Sequence, residues 1–328
     1  MPMPDLRRRR RADPKVNERH ARRYPQARAA SLFALALVAG AYALPASAQT
    51  QPKPGDVTGD ASLTGLAVLN TDIDNGGSFR WDGFTAAGSI DWQLTQALSV
   101  GLTARYSYEH WRFSPPTAFG PTAPWTNLQM PQVGMNFELY VTPDVSLFVA
   151  PQLEWDYETG ASAGDAKTYG ASFGITKVFS PKLILGIGAG VYRQVDDTQV
   201  FPVIIVRWQI DDKWLLRNSL AAGPAGGPGV ELAYAINDTW EIAGGGAYRE
   251  YRFRLNDDGP VPGGVGENRG FPLFARLSAK LGKTGRLDFV AGAIVGGELK
   301  LFDRNGNTLA SSDYKAAPLL GITAKLDF

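Results

Sequence analysis

Polar and apolar residues alternate along long stretches of the chain. In residues 98–109 the even positions are Leu, Val, Leu, Ala, Tyr and Tyr, whereas the odd positions are Ser, Gly, Thr, Arg, Ser and Glu. The last stretch, PLLGITAKLDF, shows the same period and ends at Phe328. A period of two predicts β-strands with one apolar face and one polar face.

The segments that connect these strands are alternately short and long. Short turns such as TPD, SPK and DDK alternate with longer stretches such as FSPPTAFGPTAPWTN and NDDGPVPGGVGENRG. About fourteen strands are predicted in this way. The count falls to twelve if SLTGLAVLN and the hairpin that begins with FPVIIVRWQI are not strands, since the latter is apolar on both faces.

Regular hairpins with short turns on one side favour an all-β fold, a transmembrane antiparallel up-and-down β-barrel. A soluble sandwich mixes connection lengths and uses crossovers, whereas a membrane barrel needs only hairpins, with short periplasmic turns and longer extracellular loops. The barrel is predicted to span residues 61–328, with both chain ends in the periplasm.

The N-terminal region has the composition of an export signal. Ten basic residues precede or flank the apolar run SLFALALVAGAYAL, and the small residues of ASA end at Ala48. We therefore expect a cleaved signal peptide at residues 1–48 and a short periplasmic leader at residues 49–60. A retained anchor is the less favoured alternative, because about 14 apolar residues make a short membrane helix.

Charge and cysteine content narrow the remaining classes. From Gln49 onward the chain has 23 basic and 29 acidic residues, so a nucleic-acid partner is not expected. The chain contains no cysteine, which rules out disulfides and thiolate metal sites. Its stability is expected to come from the hydrogen-bonded sheet and from burial.

Tryptophans occur close to the predicted strand ends on both sides of the barrel. Such a distribution predicts aromatic girdles at the two membrane interfaces. The predicted girdle consists of Trp81, Trp92, Trp111, Trp155, Trp208, Trp214 and Trp240.

The C-terminal stretch GITAKLDF resembles the targeting strand of outer-membrane β-barrel proteins, which in that superfamily ends in an aromatic residue. The resemblance implies the cell outer membrane of a Gram-negative bacterium, contact with outer-membrane lipid and lipopolysaccharide, and recognition of Phe328 by the barrel-assembly machinery. The stretches VELAYAINDTWEIAGGGAYREYRFRL and GENRGFPLFARLSAKL are also similar to proteobacterial barrel families of unknown function.

Charged residues on the inward parity predict the lining of a lumen. Ionic groups there need water or one another. The predicted lining consists of Arg105, Glu138, Glu154, Arg207, Arg217, Glu231, Arg249 and Arg276.

With about fourteen strands, we expect a monomeric passive channel, similar to a porin, for small polar solutes. The alternatives are a closed structural or adhesive barrel that acts through its extracellular loops, and a transporter of hydrophobic compounds.

The sequence gives little support for catalysis. His110 is the only histidine outside the predicted signal peptide, it falls on the outward parity, and the residue two positions later is Arg112 rather than serine. An interfacial role beside Trp111 explains His110 more simply than an active site does. We therefore expect no enzyme activity, no cofactor and no metal.

Overall fold

The computed structural model describes residues 53–195, 197–218 and 229–328, and these residues form strands almost throughout. The predicted signal peptide and residues 49–52 lie outside the described residues. The first strands are β1 (Val57–Asp72), β2 (Ser78–Gln93), β3 (Leu98–Ser114), β4 (Asn127–Thr142), β5 (Val145–Trp155), β6 (Tyr157–Glu158), β7 (Lys167–Ser180), β8 (Leu183–Gln194) and β9 (Asp197–Gln209). They are followed by β10 (Trp214–Asn218), β11 (Gly229–Ala235), β12 (Trp240–Ala247), β13 (Arg249–Arg254), β14 (Val265–Leu281), β15 (Gly285–Phe302), β16 (Thr308–Tyr314) and β17 (Ala317–Asp327). A single turn of 3-10 helix lies at Ala163–Asp165.

The strands close into one antiparallel barrel. β1 pairs with β2 on one edge and with β17 on the other, so the first and last strands are paired and neither leaves an open edge of the sheet. Three pairs of segments, β5 with β6, β12 with β13 and β16 with β17, follow one another along the same neighbouring strand. Each of these three pairs occupies one position in the wall, so the seventeen strands fill fourteen positions, here called staves. This number confirms the larger predicted count.

The two ends of the barrel differ in their connections. One end, here the turn side, has connections of two to four residues, and the other, the loop side, has connections of two to twelve. Asp211 caps the turn between β9 and β10 by accepting the backbone N–H groups of Lys213 and Trp214, each at 2.8 Å. These hydrogen bonds lower the pKa of its carboxyl group. The alternation of short and long connections predicts a longer loop between β8 and β9. This connection is short, because β8 extends to Gln194 and β9 begins at Asp197.

The outer surface of the barrel is apolar. Leu102, Val133, Met135 and Leu139, all on the predicted outward parity, are exposed, and Ile187 and Val200 reach 65% and 68% exposure. A soluble protein rarely exposes apolar patches of more than a few hundred Å². No helix among the described residues is long and apolar enough to cross a membrane. The described chain is thus a transmembrane barrel of the outer-membrane type, as the sequence predicts.

The loop-side end contains a second, smaller ring of strands. β10 and β11 are short, and β13 continues beyond β12 to form a parallel bridge between Arg254 and Tyr157 of β6. An antiparallel bridge between Ile73, directly after β1, and Tyr314 joins the loop-side end of β1 to β16. We call this closed set the loop-side ring; it consists of β1, β2, β3, β4, β6, β13, β14, β15 and β16.

Candidate functional site

The interior of the loop-side ring is filled by what we call the aromatic core, which consists of Phe79, Trp81, Trp111, Trp125 and Phe253. Each of its members is at most 2% exposed. Trp125, from the connection between β3 and β4, packs edge-on against Phe253 with ring centroids 5.2 Å apart. Side chains from β13 and from the connection between β3 and β4 therefore meet inside the ring and fill it.

An ion pair with a buried carboxylate spans the same interior. Glu109 of β3 forms an ion pair with Arg249 of β13, on the far side of the barrel. Glu109 also accepts the hydroxyl of Tyr251 at 2.7 Å and the indole N–H of Trp111 at 2.9 Å. Arg249 lies over the Trp81 ring, 5.2 Å from its centroid. The predicted lumen residue Arg249 therefore belongs to a closure and does not line an open pore.

The predicted aromatic girdle requires a correction at the loop side. Trp81 and Trp111 are 2% and 1% exposed and lie inside the ring, because both fall on the inward parity of β2 and β3. Position near a strand end gave no information about which face the side chain occupies. Trp208, Trp214 and Trp240 are exposed on the outward face at the turn side. Trp92 and Trp155 are half-buried and also fall on the outward parity.

Most predicted lumen charges are paired along the wall. Arg105 of β3 lies 2.9 Å from Glu154 of β5. Glu138 accepts hydrogen bonds from Ser146 at 2.7 Å and from Tyr140 at 3.0 Å. Arg105 and Glu154 thus balance each other's charge, whereas the carboxylate of Glu138 is hydrogen-bonded by neutral hydroxyl groups.

A larger network occupies the wall formed by β10 to β15. Arg217 lies 2.6 Å from Glu231 and 2.7 Å from Glu241, and Arg276 lies 2.7 Å from the same Glu231. Arg286 lies 3.0 Å from Asp288, which Arg276 also approaches. Glu241 and Asp288 are not among the predicted lumen residues, although both fall on the inward parity and alternation alone identifies them.

Arg207 is the exception among the predicted lumen residues. It faces the interior from β9, half-buried, and its backbone is opposite Arg217 of β10. Within the described structure Arg207 forms neither an ion pair nor a hydrogen bond.

An apolar surface lies next to Arg207 on the inner wall. We call it the apolar cluster; it consists of Phe148, Tyr192, Phe201, Val203 and Ile205, on β5, β8 and β9. Tyr192 and Phe201 stack with ring centroids 5.6 Å apart. The Phe201 ring covers Gly190, where a Cβ atom would lie 2.0 Å from it. Since glycine leaves this space free, the Phe201 ring packs directly against the backbone of β8.

Among the described residues, β9 has few backbone partners on the side of β10, although it is paired along its length with β8. β9 pairs with β10 only through residues 207–209. Above them the side chain of Asn218 replaces a backbone partner, since it accepts the N–H of Val206 at 2.9 Å and donates to the carbonyl of Ile204 at 3.3 Å. Among the described residues, this is where the wall of the barrel is least tightly paired.

His110 lies on the outward face, away from the lumen. Its Nδ1 is 2.6 Å from Oδ1 of Asn127, which also accepts the hydroxyl of Tyr108 at 2.8 Å. His110 thus occupies a hydrogen-bonded surface position above the lipid-facing aromatic residues Phe84 and Tyr108.

Comparisons with known proteins give one match to a family over part of the chain and several similar solved structures. Residues 168–311 match the family "Domain of unknown function (DUF6268)". No curated protein matches the chain.

Solved structures with similar folds are bacterial barrels. An outer membrane channel from Pseudomonas putida F1 has 8% identity and a TM-score of 0.43, with 87% of this chain and 99% of that chain covered. The Pseudomonas putida toluene transporter TodX has 10% identity and a TM-score of 0.40, with 86% and 90% covered. A Pseudomonas aeruginosa FadL homologue has 10% identity and a TM-score of 0.41, with 82% and 89% covered.

Proposed function

We propose that the protein is an outer-membrane channel for small hydrophobic molecules. The observation that carries the proposal is the apolar cluster on the inner wall, which lies below a loop-side end closed by the aromatic core. Binding sites for such molecules are mainly apolar, with a few polar groups that orient the ligand.

The closed loop-side end argues against the passive pore for small polar solutes that the sequence suggests. A polar solute needs a continuous aqueous path across the membrane. Here Trp111 of β3, Trp125 of the connection between β3 and β4, and Phe253 of β13 fill the loop-side ring, and each is at most 1% exposed. A hydrated solute has no such path through the ring.

The apolar cluster, in contrast, can hold a hydrophobic molecule without a large desolvation cost. Burial of apolar surface is favourable by about 25 cal/mol per Å². The cluster also adjoins the part of the wall where the side chain of Asn218 replaces backbone pairing. The cluster would therefore present an apolar surface to a hydrophobic molecule near the described junction of β9 and β10.

A second candidate function is a closed structural barrel. It is favoured by the paired charges of the interior, since Glu231 and Arg276 are almost completely buried and satisfy each other. A network of this kind fills a barrel as readily as it lines a channel.

Uptake measurements distinguish these functions. Gram-negative cells that express the full chain are compared with cells that carry an empty vector, and uptake of radiolabelled naphthalene is measured. In parallel, barrels purified from the outer membrane are tested for arabinose permeation by liposome swelling. We expect faster naphthalene uptake and no arabinose permeation.

A matched pair of variants tests the role of the apolar cluster. Ile205→Gln places an amide within the cluster, whereas Thr85→Gln places the same side chain on β2, on the opposite wall. We expect naphthalene uptake to fall about tenfold with Ile205→Gln, since an unpaired buried amide costs about 1–3 kcal/mol, and to stay unchanged with Thr85→Gln. Arabinose permeation without naphthalene uptake would support the polar pore, and no transport of either compound would support the structural barrel.

A further inference from the structure

Three oxygen atoms on the inner wall near the loop-side end are buried without a hydrogen-bond partner in the part of the chain that the structure describes. They are Oδ1 of Asp156, Oγ1 of Thr168 and Oε1 of Gln194. Asp156 and Thr168 are each only 5% exposed. Buried polar groups in folded proteins nearly always have a partner, so three that lie in one region require one.

The three oxygens belong to neighbouring strands at one level of the barrel. Thr168 on β7 lies opposite Glu154 on β5. The antiparallel register of β7 and β8 places Gln194 level with Thr168. Asp156 follows Glu154 by two residues and is therefore on the same face of the sheet. These four side chains thus surround one point on the inner wall.

The charges at this point do not balance. Glu154 forms an ion pair with Arg105, at 2.9 Å. The carboxyl group of Asp156 lies against that of Glu154, and within the described structure it forms no ion pair. Two adjacent carboxyl groups either share a proton or hold a cation, because like charges at this distance repel each other.

The neutral oxygens favour a metal cation over a shared proton. A proton between Asp156 and Glu154 would leave Thr168 and Gln194 without partners. Calcium takes about six to eight oxygen ligands, among them carboxylates and side-chain amides, in flexible geometry. Among the described residues no three His, Asp or Glu side chains come together as a metal site, so neutral oxygens must complete this one. Threonine and glutamine form no ligand motif in the sequence, so spacing alone gives no sign of such a site.

We propose that a calcium ion binds at Asp156, with Glu154, Thr168 and Gln194 as further oxygen ligands. The backbone carbonyl of Asp156 accepts the N–H of Arg254 at 2.9 Å, and Arg254 is the residue through which β13 pairs with β6. The ion therefore stabilises the point at which the loop-side ring closes. This role does not depend on which molecule the barrel transports.

Calcium binding and stability of the full chain test the proposal. The chain is expressed in a Gram-negative host, and the barrel recovered from its outer membrane is placed in phosphatidylcholine vesicles. Binding of radioactive calcium is measured, and urea unfolding is followed with EDTA or with calcium at equal ionic strength. Extracellular calcium sites have dissociation constants of about 0.1–1 mM, so about 10 mM calcium should shift the unfolding equilibrium of the parent about tenfold to a hundredfold toward the folded state.

Two variants and a control locate the effect. Asp156→Asn keeps the shape of the side chain and removes its charge, so it should lose one bound calcium ion and the stabilisation by calcium. In EDTA it should be at least as stable as the parent. Thr168→Val should bind calcium several-fold more weakly. Asp238→Asn, in the exposed turn between β11 and β12, should behave as the parent. Lipopolysaccharide that remains with the barrel binds calcium equally in all four proteins.

Equal calcium binding and equal stabilisation in the parent and in Asp156→Asn would overturn the proposal. A parent whose stability is indifferent to calcium would overturn it as well. In that case a shared proton would show itself as stability that is present near pH 5 and lost as the pH rises to about 8, since a carboxyl group that keeps its proton in the folded state stabilises only at low pH. The comparison of the parent with and without calcium needs no substitution, so it decides the matter even if a variant fails to assemble.

Discussion

At the scale of single residues, closure of the loop-side end depends on Glu109. Its carboxylate is 3% exposed and accepts hydrogen bonds from Arg249, Tyr251 and Trp111. Two of these donors are neutral, so Arg249 alone balances the charge. A buried carboxylate without its cation is strongly destabilising.

We predict that Arg249→Met lowers the free energy of unfolding by about 3–5 kcal/mol, the usual cost of breaking a buried ion pair. Urea unfolding of the barrel in phospholipid vesicles measures the change. The control is Arg112→Met, which removes an exposed pair with Asp82 on the outward face and should cost less than about 1 kcal/mol. Equal effects of the two substitutions would contradict the assigned role of Glu109.

Alternation predicts individual side chains well where both faces of a strand have their usual environments. It puts Arg105 on one face with its ion-pair partner Glu154, and it puts Glu231 on one face with its partner Arg276. Leu102 and Val133, on the opposite parity of their strands, are exposed. Alternation would also have placed Trp81 and Trp111 inward, had parity been preferred to position near a strand end. The unpaired state of Arg207 is different, because it depends on which neighbours the carboxylates choose, and alternation carries no information about pairing.

At the scale of elements, the position of β13 determines whether the loop-side end of the barrel is open. Its odd residues Arg249, Tyr251 and Phe253 face β2 and β3, while Glu250 and Arg252 face Gln199 and Asp197 on the inner face of β9. Both faces of β13 are therefore inside the barrel. The sequence predicts one continuous strand over TWEIAGGGAYREYRFRL, whereas the structure divides it into β12 and β13, since alternation shows only that the two faces of a strand differ.

We predict that Phe253→Ala opens the loop-side ring. The Phe253 side chain is fully buried and lies over Gly266, where a Cβ atom would be 2.4 Å from its ring. Its removal leaves a cavity among large rings and should cost about 3–5 kcal/mol of unfolding free energy. In a planar bilayer the parent should be almost silent, and the variant should show stable ion-conducting steps.

The control for this experiment is Phe271→Ala, which shortens a lipid-facing side chain on β14. It removes the same number of atoms outside the ring, so conductance should remain at the level of the parent. If Phe253→Ala also stayed silent while the barrel remained folded, another part of the loop-side end would have to form the barrier.

At the scale of the whole molecule, the hairpin pattern predicts the fourteen staves because each hairpin is a local feature of the sequence. The weak hairpin of β9 and β10 is present, and β1 extends from Val57 to Asp72. Closure of the barrel is not local, since it joins β1 to β17 over more than 250 residues. The predicted barrel implies that its first and last strands pair, but no local pattern in the sequence specifies the register of this seam.

The seam ends at Phe328, which exchanges two backbone hydrogen bonds with Gly59, at 2.8 and 2.9 Å. The Phe328 ring lies over Gly59, and a Cβ atom there would be 2.7 Å from both the ring and the carbonyl oxygen of Ser89. Gly65, on the same strand and the same seam, has free space, because its nearest neighbour is a methyl group of Ile322 at 3.8 Å. The two glycines thus provide a matched comparison of how the terminal residue docks.

We predict that Gly59→Ala reduces the amount of closed barrel in the outer membrane several-fold, whereas Gly65→Ala leaves it unchanged. The added methyl group at position 59 must displace either the aromatic ring or a backbone carbonyl, so the last pairing of the seam is lost. Folded and unfolded barrels migrate differently on gels of unheated samples, which gives the closed fraction directly. Equal closed fractions for both variants would show that the barrel closes without the docking of Phe328 on Gly59, and the seam would then depend on the pairs from Asp60 to Val68 alone.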